Sequence, residues 1–560
     1  MADTTGETTS FQHASIGTIR GIVRSPSVSQ FLGIQYATLK NRFARAQLIE
    51  SYENYADNDK ALDATKYGPL PLCHPQACYM EQLLIQHALP HPEYRQSDID
   101  CLTVNIVTPS EDQVPPNQAL PVLVFVHGGG FVTGSTSWPQ SDLSELVNLS
   151  VKNGMPIVAV GVNYRLGAPG FLTSQAMREA GYEANNGLHD QRLALHWVQR
   201  YIGGFGGDPE RVTFLGESAG GTSGFFHLQS NESLFHQLIS MAGTSIIMRP
   251  IPDPVAEMAY QMVTKALGLE DLSSEHQVEA LLKAPPEDLV MKIPPGTPII
   301  PILDDEMLRG MTTYNILSDP ESTAKLFPAM DACKRILVGD SQFDASVFMV
   351  TALAHRSDRF SRTIEKCLYT ALGSDNSSTV QALLLAYGID VSNTSNDPEA
   401  IKPVLEFGHD ICFYHAAKAF AKVWSASSDS KAFLYHFNAP NPWDGVWKGH
   451  AGHVLDIAFL FQNYNVYLSP GQLACAQRVA NDFITFINGH EPWKEYEEKA
   501  NAGAMVYNAA PGSQEDESGY VREEEGARIA RRDILQSFEN DPGLDKLMDA
   551  WTIFLSGAVQ

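Results

Sequence analysis

Gly216-Glu217-Ser218-Ala219-Gly220 sets one serine between two glycines at the end of an apolar, β-branched run, VTFL (212–215). A serine so placed can serve as a nucleophile. It must stand out from the backbone at a sharp turn, where its own φ/ψ is strained and neighbouring side chains would collide. Glycines at 216 and 220 remove those side chains. A helix starting near Ala219 would aim its N-terminal N–H groups and the positive end of its dipole at the reaction. The same five residues would also suit an ordinary glycine-rich turn. The strand before them and the helical run after them carry the functional reading.

Acyl transfer needs hydrogen-bond donors where negative charge develops on the carbonyl oxygen. His127-Gly128-Gly129-Gly130-Phe131 follows another apolar run, PVLVFV (121–126). Three glycines let backbone N–H groups come close to a substrate with no Cβ in the way. The expected oxyanion hole is the N–H of Gly129, Gly130 and Ala219. His127 is expected to anchor this loop through hydrogen bonds and not to move protons. A serine hydroxyl is a poor nucleophile at neutral pH and needs a histidine base, which an acid must orient. Asp340 and Asp344 follow the run ILVG (336–339), and His450 and His453 follow AFLYHF (432–437). These residues supply two candidates for each role.

The elements that must hold these groups are legible as a pattern. PVLVFV, IVAVGV (157–162), VTFL, ILVG and AFLYHF are short, β-branched or aromatic, and bounded by turn residues. Buried parallel strands read this way. Between the second and third lies LHDQRLALHWVQRYI (188–202), where Leu188, Gln191, Leu195 and Val198 trace one helical face. Glycines at 203, 204, 206 and 207 should end that helix. Alternation of strand and helix predicts an α/β fold with a mostly parallel central sheet. The 1–560 chain reads as one domain, with helical insertions around 250–330 and 350–425 over the carboxyl edge of the sheet. The charged stretch 512–532 reads as a solvated loop and helix start.

The balance of 39 Lys plus Arg against 65 Asp plus Glu leaves a net charge of -26. That argues against nucleic acid and anionic membranes as partners. No run is long and apolar enough to span a bilayer. The start, MADTTGETTSFQHAS, has neither a basic nor an apolar leader region. Seven cysteines are an odd number for a disulfide framework. The expectation is a cytoplasmic protein with reduced thiols, reversed if a longer secreted precursor exists. Cys73, His74, Cys78 and His87 match no standard zinc spacing. Gly203–Gly207 lacks the strand before it and the Lys-Ser/Thr after it that a phosphate loop needs. No metal or other cofactor is expected.

HGGGF, SDIDCLTVNI (97–106), NYRLGAPGF (163–171) and NNGLHDQRLALHWVQRYIGGFGGDPERVTFLGESAGG (185–221) together resemble the type-B carboxylesterase family. That family holds carboxylesterases, cholinesterases and some fungal lipases on an α/β-hydrolase fold. The resemblance runs from about residue 15 to near the C-terminus and is strongest over 97–245. Its register implies Asp344 as the acid, in a place where most relatives carry Glu. It implies His453 as the base, because His453-Val454-Leu455-Asp456-Ile457-Ala458-Phe459-Leu460-Phe461 matches the family motif and His450 does not. Asp340 is then a turn residue. Glu217 would support the site, by ion pairing or by tuning His453, and Arg165 would pair with a carboxylate. In secreted relatives a cysteine before SDIDC bridges the one within it, so Cys73 or Cys78 could join Cys101. A choline ester is not expected, because residues 74–100 hold no tryptophan to receive its cation.

The expected activity is hydrolysis of a carboxylic ester through an acyl-enzyme on Ser218, with a small-molecule ester as partner. Phe131, Trp138, Phe225, Phe348, Trp443 and Trp447 lie near the motif segments, which predicts an apolar acyl or alcohol group. Two other readings share the sequence. One is an acyltransferase, or a lactone-forming or lactone-opening enzyme, on the same triad. The other is a non-catalytic binding protein of the same fold.

Overall fold

The five apolar runs pack as strands because both of their faces are covered. A computed structural model describes residues 7–559 apart from 54, 56–60, 115–117, 355, 396, 428, 499–501, 511, 523–529 and 539–542. In chain order the main strands are β1 (Thr8–His13), β2 (Gly17–Ser25), β3 (Val28–Gln35), β4 (Thr103–Pro109), β5 (Leu120–Val126) and β6 (Val158–Val162). They continue as β7 (Gly207–Glu217), β8 (Gln237–Met241), β9 (Arg335–Ser341), β10 (Lys431–Phe437), β11 (Gly503–Tyr507) and β12 (Gly519–Arg522). The sheet order is β1-β2-β3-β4-β6-β5-β7-β8-β9-β10-β11-β12, with the short strand Ala61–Asp63 beside β2. Pairing is parallel from β6 across to β11 and antiparallel outside that block, except that Ala61–Asp63 lies parallel to β2. The fold class is α/β, with the mostly parallel sheet that the pattern predicts.

Alternate residues feed two cores. Val122, Val124 and Val126 pack into one, Leu123 and Phe125 into the other. Each fully buried side chain of this size contributes roughly 1.5–3 kcal/mol. The predicted helix is present over Asn186–Tyr201, and Ala219–Leu228 forms a helix directly after the serine. The two stretches read as insertions contain helices, among them Asp253–Ala266, Ser274–Lys283, Phe360–Leu372, Ser377–Tyr387, Pro398–His409 and His415–Ser425. Arg165, just beyond β6, is 1 % exposed and donates to both carboxylate oxygens of Asp190 at 2.7 Å. Its Nη1 donates to the carbonyls of Arg42 and Ala44, so the buried charge is paired and four of its five N–H groups are bonded.

Topology explains why distant motifs meet. Strand order reverses between β5 and β7, since β6 lies on one side of β5 and β7 on the other. Loops leaving the carboxyl ends of such neighbours diverge and open a crevice. Gly216 of β7 pairs with Val126 of β5, so Ser218 and HGGGF leave the sheet side by side. The strands β9 and β10 are likewise neighbours, and they deliver Asp344 and the loop to His453.

The segment 512–532 departs from the solvated loop expected of it. Gly519–Arg522 is the antiparallel edge strand β12, and Arg531 and Arg532 pair with buried Asp410 at 2.9 and 2.8 Å. Charge here neutralises a buried carboxylate and does not only face water. Residues 523–529 of that stretch lie outside the described residues.

Candidate active site

Ser218 joins strand to helix in a conformation of φ 54 and ψ -122. Such a backbone costs about 1–3 kcal/mol and survives only where the surroundings fix it. Its N–H donates to the Met241 carbonyl at 2.9 Å, and its own carbonyl accepts from Thr222 N–H at 3.0 Å. A Cβ at Gly216 would stand 2.1 Å from the Gly220 carbonyl carbon, and one at Gly220 would stand 2.0 Å from the Val126 oxygen. The turn therefore admits only glycine at both places. Unlike buried Asp344 and His453, Ser218 retains partial exposure.

The HGGGF loop runs against this turn. A Cβ on Gly128 would fall 2.4 Å from Glu217 Oε2 and 2.9 Å from Ser218 Cβ. Gly129 has φ +92 and a Cβ there would fall 2.2 Å from the Thr133 oxygen. Gly130 also has positive φ, +62, but faces open space. Gly128 thus packs against the serine turn, Gly129 and Gly130 follow it in the loop, and Ala219 starts the helix after Ser218. His127 Nδ1 lies 2.9 Å from the Gly128 carbonyl, its ring stacks on Tyr164, and Tyr164 donates to the His127 carbonyl at 3.1 Å. Burial lowers His127 to about 4.

Asp344 Oδ1 lies 2.9 Å from His453 Nδ1, and Asp344 Oδ2 accepts from Ser341 N–H at 2.7 Å. Ser346 Oγ accepts from His453 N–H at 3.2 Å, so one short turn after β9 holds both the ring and the backbone of the histidine. Asp340 is not the turn residue expected of it: it is buried within β9 and serves elsewhere. Its two oxygens lie 2.5 Å from His436 Nδ1 and 3.2 Å from His409 Nε2. His450 contacts the rings of Phe343 and Trp447, away from Asp344. One oxygen or nitrogen from each of Asp340, Asp344 and His409 lie within 4.8 Å of one another, a grouping that could take a metal. Both carboxylates are already engaged by the donors just named, so a charge cluster accounts for the grouping without one.

His453 Nε2 lies 3.1 Å from Glu217 Oε1. Among the described residues, Ser218 Oγ makes no hydrogen bond to this ring; such bonds are often long before substrate arrives. Burial lowers His453 to about 4, with Asp456 opposing. Burial raises Glu217, and the nearby carboxyls of Asp456, Glu81 and Asp344 raise it further. Burial likewise raises Asp344, against the His409 imidazole. Asp456, held by Tyr435 O–H at 2.8 Å, is pushed up to about 7 by burial and by Asp344. Several carboxyl groups thus surround one imidazole, which burial keeps neutral in the resting site. Nothing in the residue pattern marked Glu81, and Asp456 was visible only as part of a motif.

The aromatic residues divide. Trp138 is 1 % exposed and lies in the main core, and Phe225 is fully buried with its ring 3.9 Å from Phe420. Both are packing residues, a correction to the substrate-lining role expected of them. Phe131 is also fully buried, against Phe171, while its carbonyl accepts from Gly167 N–H at 2.8 Å and secures the loop. Phe348 is partly exposed and packs on Phe413, which stands edge-on to His453 at 5.9 Å. Trp447 packs on Phe343 in the loop before His453, and Trp443 stacks on His87. Cys73, Cys78 and Cys101 are separate buried thiols. Among the described residues, no helix is long and apolar enough to cross a membrane.

Known proteins share this architecture. The sequence model of the carboxylesterase family matches residues 8–527. Lipase 4 of Diutina rugosa is 31% identical over 464 residues, covering 76% of each chain. Para-nitrobenzyl esterase of Bacillus subtilis (strain 168) is 29% identical over 455 residues, 80% of this chain and 82% of that protein. A solved structure of a PNB esterase superposes with a TM-score of 0.67 at 26% identity, covering 93% of this chain and 99% of the other.

Proposed function

Because this chain belongs to the carboxylesterase family and is a carboxylic ester hydrolase, we propose that it works through a Ser218–His453–Asp344 triad and an acyl-enzyme intermediate. The observation that carries this reading is the 2.9 Å contact of Asp344 Oδ1 with His453 Nδ1, beside a serine on a strained turn. Asp344 fixes the tautomer, so Nδ1 carries the proton and Nε2 is free to accept one. On substrate binding, Nε2 takes the Ser218 hydroxyl proton as Oγ attacks the ester carbonyl. The N–H groups of Gly129, Gly130 and Ala219 receive the oxyanion. The imidazolium then protonates the leaving alcohol, and water repeats the sequence to release the acid. Glu217 stabilises the imidazolium in both halves. The partly exposed Phe348, one ring removed from His453 through Phe413, supports an apolar acyl group.

The test is hydrolysis of p-nitrophenyl esters from acetyl to palmitoyl by the wild type and Ser218→Ala, with fluorophosphonate labelling of both. The expected result is turnover and labelling that both vanish in the variant, with a preference for longer acyl chains. Full activity in pure Ser218→Ala would overturn the nucleophile. Labelling without turnover would transfer the reading to an acyl acceptor other than water.

A further inference from the structure

Behind the serine lies a cavity of about 20 Å³, lined among others by Glu81, His127, Gly128, Gln140 and Glu217. One water needs about 10–15 Å³ on this measure, so the space suits a single molecule. Two buried polar atoms at its wall have no hydrogen-bond partner: His127 Nε2, on a side chain 3 % exposed, and Glu217 Oε1, on one 4 % exposed. Oε1 is close to His453 Nε2 but not aligned with it for a hydrogen bond. Unpaired polar atoms in such a place cost about 1–3 kcal/mol each.

Their chemistry defines the occupant. His127 Nδ1 sits on the Gly128 carbonyl, which makes Nδ1 the donor and leaves Nε2 an acceptor. Glu217 Oε1 is also an acceptor whenever the pair's proton sits on Glu81. The cavity therefore lacks donors. Glu81 reaches it from the helix Ala77–Ile85, and its Oε1 already accepts from Gln140 Nε2 at 2.9 Å. A proton on the other oxygen of Glu81 would supply the missing donor. Two carboxyl groups in one poorly solvated space favour holding one proton between them.

We propose that the cavity is a binding site for one water molecule through which Glu81 and Glu217 share one proton, Glu81 being a positioning residue that sets the charge Glu217 presents to His453. Glu81 O–H donates to the water, and the water donates to His127 Nε2 and to the Glu217 carboxylate. One proton, one water and two carboxyl groups then satisfy every polar atom at the wall. The inference rests on the triad reading for its catalytic consequence but not for the water or the proton. Burial raises Glu81 to about 7, against the Gln140 hydrogen bond, so its proton is lost near neutral pH. The other titratable groups around it are Glu217, His127, Cys73, Cys78 and Tyr464.

The sign follows from the lost proton. Above the Glu81 midpoint the water has two protons for three acceptors, so the bond that positions Glu217 is no longer secured. Wild-type kcat/KM should fall several-fold as pH rises through about 7. In Glu81→Gln, whose amide donates without titrating, that fall should be absent. Infrared difference spectra give a readout independent of turnover. Asp456 titrates over the same range, so protonated-carboxyl C=O bands should disappear there in both proteins, with one band fewer in Glu81→Gln than in the wild type. Glu81→Leu, which removes the donor, should lose activity at every pH while keeping the fold. An unchanged infrared titration in Glu81→Gln would overturn the proton site even in an inactive protein. An active Ser218→Ala would overturn the triad and leave the infrared result standing.

Discussion

His453 Nε2 stands 3.1 Å from Glu217 Oε1, so the residue next to the nucleophile meets the edge of the ring that must accept a proton. A carboxylate there is worth most when the ring is positive, which happens only as the serine attacks. Glu217→Gln keeps the shape and removes the charge. Close charge pairs contribute upward of about 1.5 kcal/mol. The expected loss in kcat/KM is about 10- to 100-fold, with KM little changed. Removing an anion also makes the imidazole harder to protonate, so the acid limb of the pH profile should move to lower pH. Unaltered kinetics across pH 5–8 would show that Glu217 only packs.

Asp340 and Asp344 lie four residues apart and should fail in opposite ways. Asp344→Asn can still accept from Ser341 N–H, but it presents the wrong partner to His453 Nδ1. The expected result is a folded protein with kcat reduced about 10⁴-fold. Asp340→Asn should keep turnover and lose stability by about 3–5 kcal/mol, because it breaks a buried charge cluster. Burial works to raise Asp340, but the His436 and His409 imidazoles hold it well below the usual carboxylate range. A folded-state value below the unfolded one gives stability that is present above about pH 3.8 and is lost as pH falls toward the folded value. The difference in melting temperature between wild type and Asp340→Asn should therefore shrink below pH 4. Thermal melts at pH 3, 5 and 7 check this, and a difference constant with pH would contradict it.

Where function depends on backbone shape, the residues announced it. Gly216, Gly220 and the HGGGF glycines stand where a Cβ cannot fit or where φ is positive, and such demands are written locally. The five strands and the helix near 188–202 were legible for a similar reason, because burial on both faces leaves a periodic or continuous apolar pattern. The strand Gln237–Met241 is equally buried, but its mixed sequence QLISM hides it. Contacts spanning the chain were less accessible. Asp344 and His453 are 109 residues apart, and their choice over Asp340 and His450 came from a family register. Glu81 joins the site only because its helix docks with that face inward, and nothing in the segment ACYMEQLLI requires it. Trp138 and Phe225 misled for the converse reason, since nearness to a motif in sequence says nothing about which face a side chain takes.

The two glycines of the expected oxyanion hole should respond unequally to alanine. At Gly129 the added Cβ meets the Thr133 oxygen at 2.2 Å, so the loop must move. Displacing a preorganised donor costs about 10²–10³ in kcat. At Gly130 the Cβ meets nothing within 4 Å, and only its positive φ is penalised, by about 1–2 kcal/mol of stability. Gly129→Ala, which carries the clash on top of its own positive φ, should therefore lose both activity and melting temperature, whereas Gly130→Ala should melt only slightly lower and retain most turnover. Equal loss of kcat in both variants would mean that the loop tolerates no side chain at either place.

The cysteines offer a count that decides the pairing suggested by secreted relatives. All seven are buried thiols, and burial raises Cys73, Cys78 and Cys475 to about 12 and Cys367 to about 11. At pH 8 almost none of each is thiolate, the form that attacks a disulfide reagent. The folded protein should react with 5,5′-dithiobis(2-nitrobenzoic acid) only as fast as it opens. Unfolded in guanidinium without reductant, it should release seven equivalents at once. Five equivalents would mean that one bridge forms. Cys101 paired with Cys73 or Cys78 would then be the pair to map by mass spectrometry, and the helix Ala77–Ile85 that carries Glu81 would be tethered to the sheet.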